Sequence, residues 1–221
     1  MKNGILICLL SLFCLSINAQ NSWEIKEVRN NSVYGEVTLM TIPMGDINVN
    51  PIGFRGGVTH TFEIGKQGLF ADVSAELGFQ QGRADFKMKE IPHRLSQKIL
   101  DGKIPLNLGY KFPIGEDFAL RIYAGGNVQY YLLTKETWHD YKENKEYDVE
   151  YINKKFHFGY QVGVNFDFTE EWYAGFEFTH TLSAISDDER NGATRATPEI
   201  SNIDCYDSHP YAFQFRVGYR F

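Results

Sequence analysis

The chain ends Tyr211-Ala212-Phe213-Gln214-Phe215-Arg216-Val217-Gly218-Tyr219-Arg220-Phe221, with an apolar or aromatic residue at every odd position and Ala, Gln, Arg, Gly and Arg between them. Residues 156–168 repeat the arrangement. Phe156, Phe158, Tyr160, Val162, Val164, Phe166 and Phe168 alternate there with His157, Gly159, Gln161, Gly163, Asn165 and Asp167. Successive side chains of a strand point to opposite faces, so each segment folds as a strand with one wholly apolar and one polar face.

Working outward, the same period marks eight strands, over 33–41, 53–65, 69–80, 103–113, 118–133, 155–168, 172–183 and 210–221. No window after Ala19 holds the helical period of 3.6 residues. Most of these strands exceed the globular mean of about 5–6 residues and suit a tilted crossing of a bilayer. The links at 66–68, 114–117 and 169–171 are short and polar, whereas those at 42–52, 81–102, 134–154 and 184–209 are long. Strict alternation of short and long links is the layout of an outer-membrane barrel with short periplasmic turns and long extracellular loops. The expected fold is therefore all-β: an eight-stranded antiparallel up-and-down transmembrane barrel over 33–221.

A soluble sandwich or lipocalin-like barrel also alternates, with its apolar face inward. The polar face separates the two. It carries Gly57, Gly78, Gly109, Gly125, Gly159, Gly163, Gly175 and Gly218 where a wet surface carries Lys and Glu. It also holds Glu36, Glu63, Asp72, Glu76, Asp167 and Glu177 against Arg55, Lys111, Arg121, Arg216 and Arg220. An eight-stranded barrel is just wide enough for side chains to fill it, so these charges are expected to pair across the lumen. Phe112, Phe118, Phe168, Trp172 and Phe221 fall at the turn ends of their strands, where an interfacial aromatic girdle belongs.

Residues 1–19, MKNGILICLLSLFCLSINA, read as a secretory signal peptide: a basic Lys2, an apolar run too short to span, and cleavage after Ala19. Residues 20–32 form a periplasmic N-terminal segment. Of the three cysteines only Cys205 lies beyond that cleavage site, so an intramolecular disulfide is excluded in the mature chain. The net charge of −6 carries no footprint of a nucleic-acid partner. An aromatic content of 15% argues against disorder.

Several segments resemble one family. Ile104-Pro-Leu-Asn-Leu-Gly-Tyr110-Lys-Phe112, Ala124-Gly125-Gly126-Asn127-Val128, Gly159-Tyr-Gln-Val-Gly163 and Val217-Gly218-Tyr219-Arg220-Phe221 are similar to strands of the outer-membrane β-barrel domain family that includes the PorT-like proteins of Gram-negative bacteria. The second segment departs from the family in having Gly126-Asn127 for Gly-Pro. The resemblance covers 53–221 and implies location in the outer membrane, surrounded by its lipid. It also implies assembly by the barrel-assembly machinery, which reads a C-terminal strand like the one ending in Phe221. It carries over no catalytic motif.

Candidate chemistry is sparse. His60, His93, His139, His157, His180 and His209 form no H-x-H or H-E-x-x-H pattern, so no metal site is signalled. His157 is expected as a satisfied lumen residue beside the strands of Asp167 and Glu177, and His60 and His180 on apolar faces near the rims. A peptide or lipid hydrolase needs a base within reach of a nucleophile. His180 with Thr181 and Ser183 offers the constellation nearest an outer rim, but alternation sets both hydroxyls on the other face. Loop 134–154 is charge-dense yet lacks calcium-loop spacing, and reads as a solvated hairpin extension. The expectation is a non-enzymatic barrel with a packed lumen, no catalytic, cofactor-binding or metal residue, and a possible protein partner at its outer loops. The alternatives are a narrow pore, a soluble periplasmic binding barrel, or an outer-membrane lipid or peptide hydrolase.

Overall fold

A computed structural model describes residues 30–44, 47–64, 68–88, 90–115, 118–149, 152, 154–186 and 208–221. The expected signal peptide and Cys205 lie outside them. The described residues form ten strands: β1 (Asn31–Met44), β2 (Ile47–Val49), β3 (Ile52–Ile64), β4 (Leu69–Met88), β5 (Ile91–Pro113), β6 (Ala119–Asp140), β7 (Lys145–Val149), β8 (Phe156–Asp167), β9 (Trp172–Thr181) and β10 (Tyr211–Arg220). Eight of them, β1, β3, β4, β5, β6, β8, β9 and β10, pair in that order, and β10 returns to β1 from Ser32↔Arg220 to Thr41↔Tyr211. The ring is the expected eight-stranded up-and-down barrel. β2 and β7 are additions at its outer end, paired with β1 and β6.

Side-chain direction decides between membrane and soluble barrel. Phe158, Phe213 and Phe215 point outward and are 53%, 58% and 44% exposed. A soluble binding barrel would bury them, so that alternative is excluded. The outward residues of β4 run Leu69, Ala71, Val73, Ala75, Leu77 and Phe79, then change to Gln81, Arg83, Asp85 and Lys87. From Leu69 to Phe79 the strand climbs about 33 Å at roughly 3.3 Å per residue, or about 25 Å along the axis at a tilt near 40°. That is the height of an outer-membrane apolar band. Phe118, Phe168, Trp172 and Phe221 stand exposed at its turn end, with Phe112 half-buried, as the girdle requires.

The long links need correction. Residues 81–88, 91–102 and 134–140 are not loops: β4, β5 and β6 continue through them as paired strand beyond the apolar band. The apolar stripe stops at Phe79, Leu100 and Leu133, and polar outward residues follow, so the signal that marked the strands ends while the hydrogen-bonded ladder goes on. A bulge conceals more. Leu100 faces Leu133 while Asp101 faces Tyr131, which leaves Leu132 as an extra residue. Below it odd positions of β6 point inward, as Tyr123 and Tyr131 do; above it even positions do, as Glu136 and Trp138 do. One added residue reverses the alternation, and a period-2 reading breaks there.

The interior changes character at the same height. Inside the apolar band it is polar. At and above the outer edge, Met40, Ile42 and Met44 of β1, Val49 of β2, Leu95 and Ile99 of β5, and Tyr131 and Trp138 of β6 form a buried apolar cap with Ile152 and Ile185. β2 folds back on β1 through Ile42↔Val49 and Met44↔Ile47 to lay these side chains over the opening. Trp138 packs edge-on against Phe86 at 4.9 Å, and its indole donates to His93 Nδ1 at 3.2 Å. Glu136, buried in the cap, accepts from Gln97 Nε2 at 2.5 Å and from the Ile152 amide at 2.8 Å, which ties Ile152 to β6.

Candidate functional site

The centre of the polar lumen is a network of charges and their neutral hydrogen-bond partners to which every ring strand contributes. Arg216 of β10 donates from Nε and Nη2 to Glu36 Oε2 at 3.0 and 2.9 Å, and its Nη2 also reaches Glu76 and Glu177 at 3.3 Å. Lys103 of β5 bridges Glu76 and Glu177, each at 3.1 Å. Arg55 of β3 lies 2.8 Å from Asp101, 3.3 Å from Glu76 and 3.4 Å from Glu36. Neutral groups complete the shell: Tyr34 donates to Glu76 at 2.5 Å, Tyr123 to Glu177 at 3.0 Å, Gln214 to Glu36 at 2.9 Å, Gln129 to Asp101 at 2.7 Å and Gln161 to Glu177 at 3.2 Å. Four carboxylates and three cations are thus cross-linked by direct contact, and all seven side chains are buried. Buried charges persist only when paired and hydrogen-bonded, and here each is held from several walls.

A second layer lies toward the periplasmic turns. Asp167 receives Arg121 at 3.3 Å and Arg220 at 2.6 Å, and Asp72 accepts from Thr61 at 2.6 Å. Glu63, expected inside the lumen, is instead exposed at the rim, because β3 there has run past the enclosed interior; Lys111 is only half-buried for the same reason. The inward glycines make room for aromatic rings. Tyr34 faces Gly57, Phe70 faces Gly109, Tyr123 faces Gly163 and Tyr173 faces Gly218 directly across a strand pair. A Cβ on any of these glycines would meet the facing ring.

The histidine candidates separate. His180 stacks on Tyr160 at 5.4 Å on the outward face, while Thr181 is buried on the inward one. Ser183 does not meet His180; it meets His157 instead. His157 Nε2 donates to the Lys154 carbonyl at 3.0 Å, which leaves Nδ1 to accept from Ser183 Oγ at 3.2 Å, and that oxygen also accepts the Phe158 amide at 3.3 Å. His157 is buried at the outer end beside Tyr131, ten residues along β8 from Asp167 rather than near it. Hydroxyl and imidazole fasten the chain after β9 to the start of β8. Among the described residues no group of three His, Cys, Asp or Glu side chains is placed to hold a metal ion.

What projects outward is a four-stranded sheet, β4–β5–β6–β7, beyond the apolar band. Its cross-strand rungs read Gln81–Lys98–Lys135, then Arg83–Ser96–Thr137–Asp148, then Asp85–Arg94–His139–Glu146. Arg94 donates to Asp85 at 2.6 Å, and that bond holds the Asp85 carboxyl below the usual carboxylate range. Its guanidinium also lies 5.5 Å from the Tyr141 ring centroid. At the β6–β7 turn Lys145 and Tyr147 both donate to Glu143 at 3.1 Å and lower its pKa, the lysine bond counting most. The sequence revealed the central charges except Asp101, which fell in a supposed loop, and Lys103, which was not singled out; Glu136 of the cap fell in the supposed loop 134–154. Asp101 and Lys103 share the inward odd parity that runs unbroken along β5, whereas the direction of Glu136 is legible only with the bulge at Leu132.

Comparison with curated proteins found no match. Among solved structures, the attachment invasion locus protein Ail of Yersinia pestis is similar at 14% identity, covering 88% of this chain and 100% of that one with a TM-score of 0.46. Neisserial surface protein A is similar at 10% identity, with 86% and 97% covered and a TM-score of 0.44. The outer membrane enzyme PagL is similar at 10% identity, with 84% and 99% covered and a TM-score of 0.44. The outer membrane protein beta-barrel domain model matches residues 5–221. With its closed ring and outward apolar band, the chain belongs to the outer membrane protein beta-barrel domain family.

Proposed function

We propose that the protein is a non-enzymatic surface component of the outer membrane, a closed barrel that anchors a projecting sheet for contact with a protein partner. The observation that carries this reading is the double closure of the lumen, by the network around Arg216 and by the apolar cap around Trp138. A conducting path needs a continuous polar opening, and the cap interposes Ile42, Met44, Leu95 and Ile185. Assembly through the C-terminal strand ending in Phe221 belongs to the same proposal. Because both barrel wall and cap are closed, the parts free to meet a partner among the described residues are the outward faces of β4 to β7.

Two measurements test this. Purified barrel in planar bilayers is expected to give no reproducible single-channel steps; a steady conductance would establish a pore. Replacing residues 83–95 and residues 137–148 each with a tight turn removes the projection and leaves the membrane-spanning strands intact. If the sheet is the working part, cells carrying that variant show the phenotype of cells lacking the gene. Full complementation by the variant would sink the proposal.

A further inference from the structure

The outward face of the projecting sheet changes abruptly at the edge of the apolar band. Phe79, Leu100 and Leu133 form one cross-strand rung, and the next rung up is Gln81, Lys98 and Lys135. Lys98 and Lys135 are exposed and directly opposite one another. Side chains so paired have Cβ atoms about 4.5–5.5 Å apart, and like charges there destabilise the sheet. Arg83, one rung higher, is the diagonal neighbour of Lys98, at about 7–8 Å, and is exposed too. Among the described residues no ion pair joins these three cations to an acid. Asp85 is engaged by Arg94, and Asp148 faces Thr137 one rung above Lys135. Three cations therefore converge on one patch in which, among the described residues, none is ion-paired; the acids beside it are Asp85, held by Arg94, and Asp148, diagonal to Lys135, so that with Arg94 four cations stand against two acids.

Their height says which anion meets this excess. One rung is two residues, about 6.7 Å along the strand and about 5 Å along the tilted axis. The ammonium groups therefore stand at the level of the lipid headgroups, with Leu100 and Leu133 directly beneath them. We propose that Arg83, Lys98 and Lys135 form a binding site for the phosphate of an anionic outer-leaflet lipid, whose acyl chain lies against Leu100 and Leu133. A soluble anion would use the cations alone; an amphiphile uses the cations and the apolar rung that the register places below them. The inference rests on the position of the chain in the membrane and not on the contact role proposed above.

The test uses the full barrel in nanodiscs of phosphatidylcholine containing a minority of phosphatidic acid, with retained lipid identified by native mass spectrometry. Wild type is expected to retain phosphatidic acid in preference to phosphatidylcholine. A surface cation near anionic lipid contributes roughly fivefold in affinity, so the Arg83→Gln/Lys98→Gln/Lys135→Gln variant is expected to lose the preference by about a hundredfold. Lys98→Arg/Lys135→Arg keeps the charge and is expected to keep the preference, as is Lys142→Gln, in the turn between β6 and β7 far from the patch. Folding of each variant is checked by its mobility shift on unheated gels. The proposal is overturned if the folded triple variant retains phosphatidic acid as wild type does. It is equally overturned if inorganic phosphate at matched concentration displaces the lipid, which would mark a site for soluble anions.

Discussion

Replacing Arg216 by methionine tests whether the lumen is held by its charges or merely filled by them. The guanidinium makes two bonds to Glu36, at 3.0 and 2.9 Å, single contacts of 3.3 Å to Glu76 and Glu177, and lies 4.1 Å from the Tyr34 ring centroid. Methionine fills similar space without the charge. Four buried carboxylates, Glu36, Glu76, Asp101 and Glu177, then share only Arg55 and Lys103. Removing one partner of a buried ion pair costs about 3–5 kcal/mol, because the remaining charge keeps its desolvation penalty without the attraction that offset it. Glu36 loses most, so Glu36→Gln in the same chain is expected to recover about 1–3 kcal/mol, the coupling typical of groups in one network. Urea unfolding in lipid, followed by tryptophan fluorescence and by mobility on unheated gels, reads both values. A cost below about 1 kcal/mol for Arg216→Met, or strict additivity with Glu36→Gln, would refute the argument.

Gly163→Val drives a branched side chain into the Tyr123 ring and is expected to cost about 1–3 kcal/mol by the same assay, while Gly56→Val, whose side chain faces lipid with no close neighbour but a carbonyl at 3.7 Å, is expected to be near neutral. Deleting Leu132 removes the bulge and reverses the alternation above it; limited proteolysis is expected to cut within 134–149 while the membrane-spanning strands stay protected. Asp85 has its folded pKa depressed by Arg94, so the stabilisation from this contact is present above the ordinary carboxylate range and is lost as pH falls through the lowered value. An NMR titration of Asp85 is expected to show that lowered midpoint, and Arg94→Gln to return it to the ordinary range. Ser183→Ala is expected to leave outer-membrane lipid acylation unchanged; a change in acyl-chain number would mark the His157–Ser183 pair as chemically active.

The membrane-spanning half was legible from sequence because lipid imposes a simple rule on it. Phe213, Phe215 and Val217 had to share a face, and Gln214 and Arg216 had to share the other. The polar positions also announced a crowded interior, since glycines such as Gly163 and Gly218 stand where bulkier residues would clash with a facing ring. The outer half was not legible. Outward residues 81–87 are polar, like those of any loop, and the inward ones mix Ala84 and Phe86 with Gln80. Pairing there is established by register propagated from below, not by composition. Partner choice within the lumen was hidden as well. Nothing in the spacing of Lys103, Glu76 and Glu177 says that one ammonium links the other two; barrel closure brings them together.

The bulge at Leu132 sits at the point where the molecule turns itself inside out. Below it the protein has an oily exterior and a salt-like centre; above it the exterior is wet and the centre is oily, as in any water-soluble domain. β4, β5 and β6 pass through both regimes without a break. The same substitution is therefore expected to have opposite consequences along one strand. A serine on the outward face is harmless at Thr137 and costly at Ile122, and a leucine on the inward face suits the level of Trp138 and would be intolerable at the level of Arg121. The two halves are free to accumulate change under separate rules, and the only shared obligation is the ladder of backbone bonds that runs through the junction.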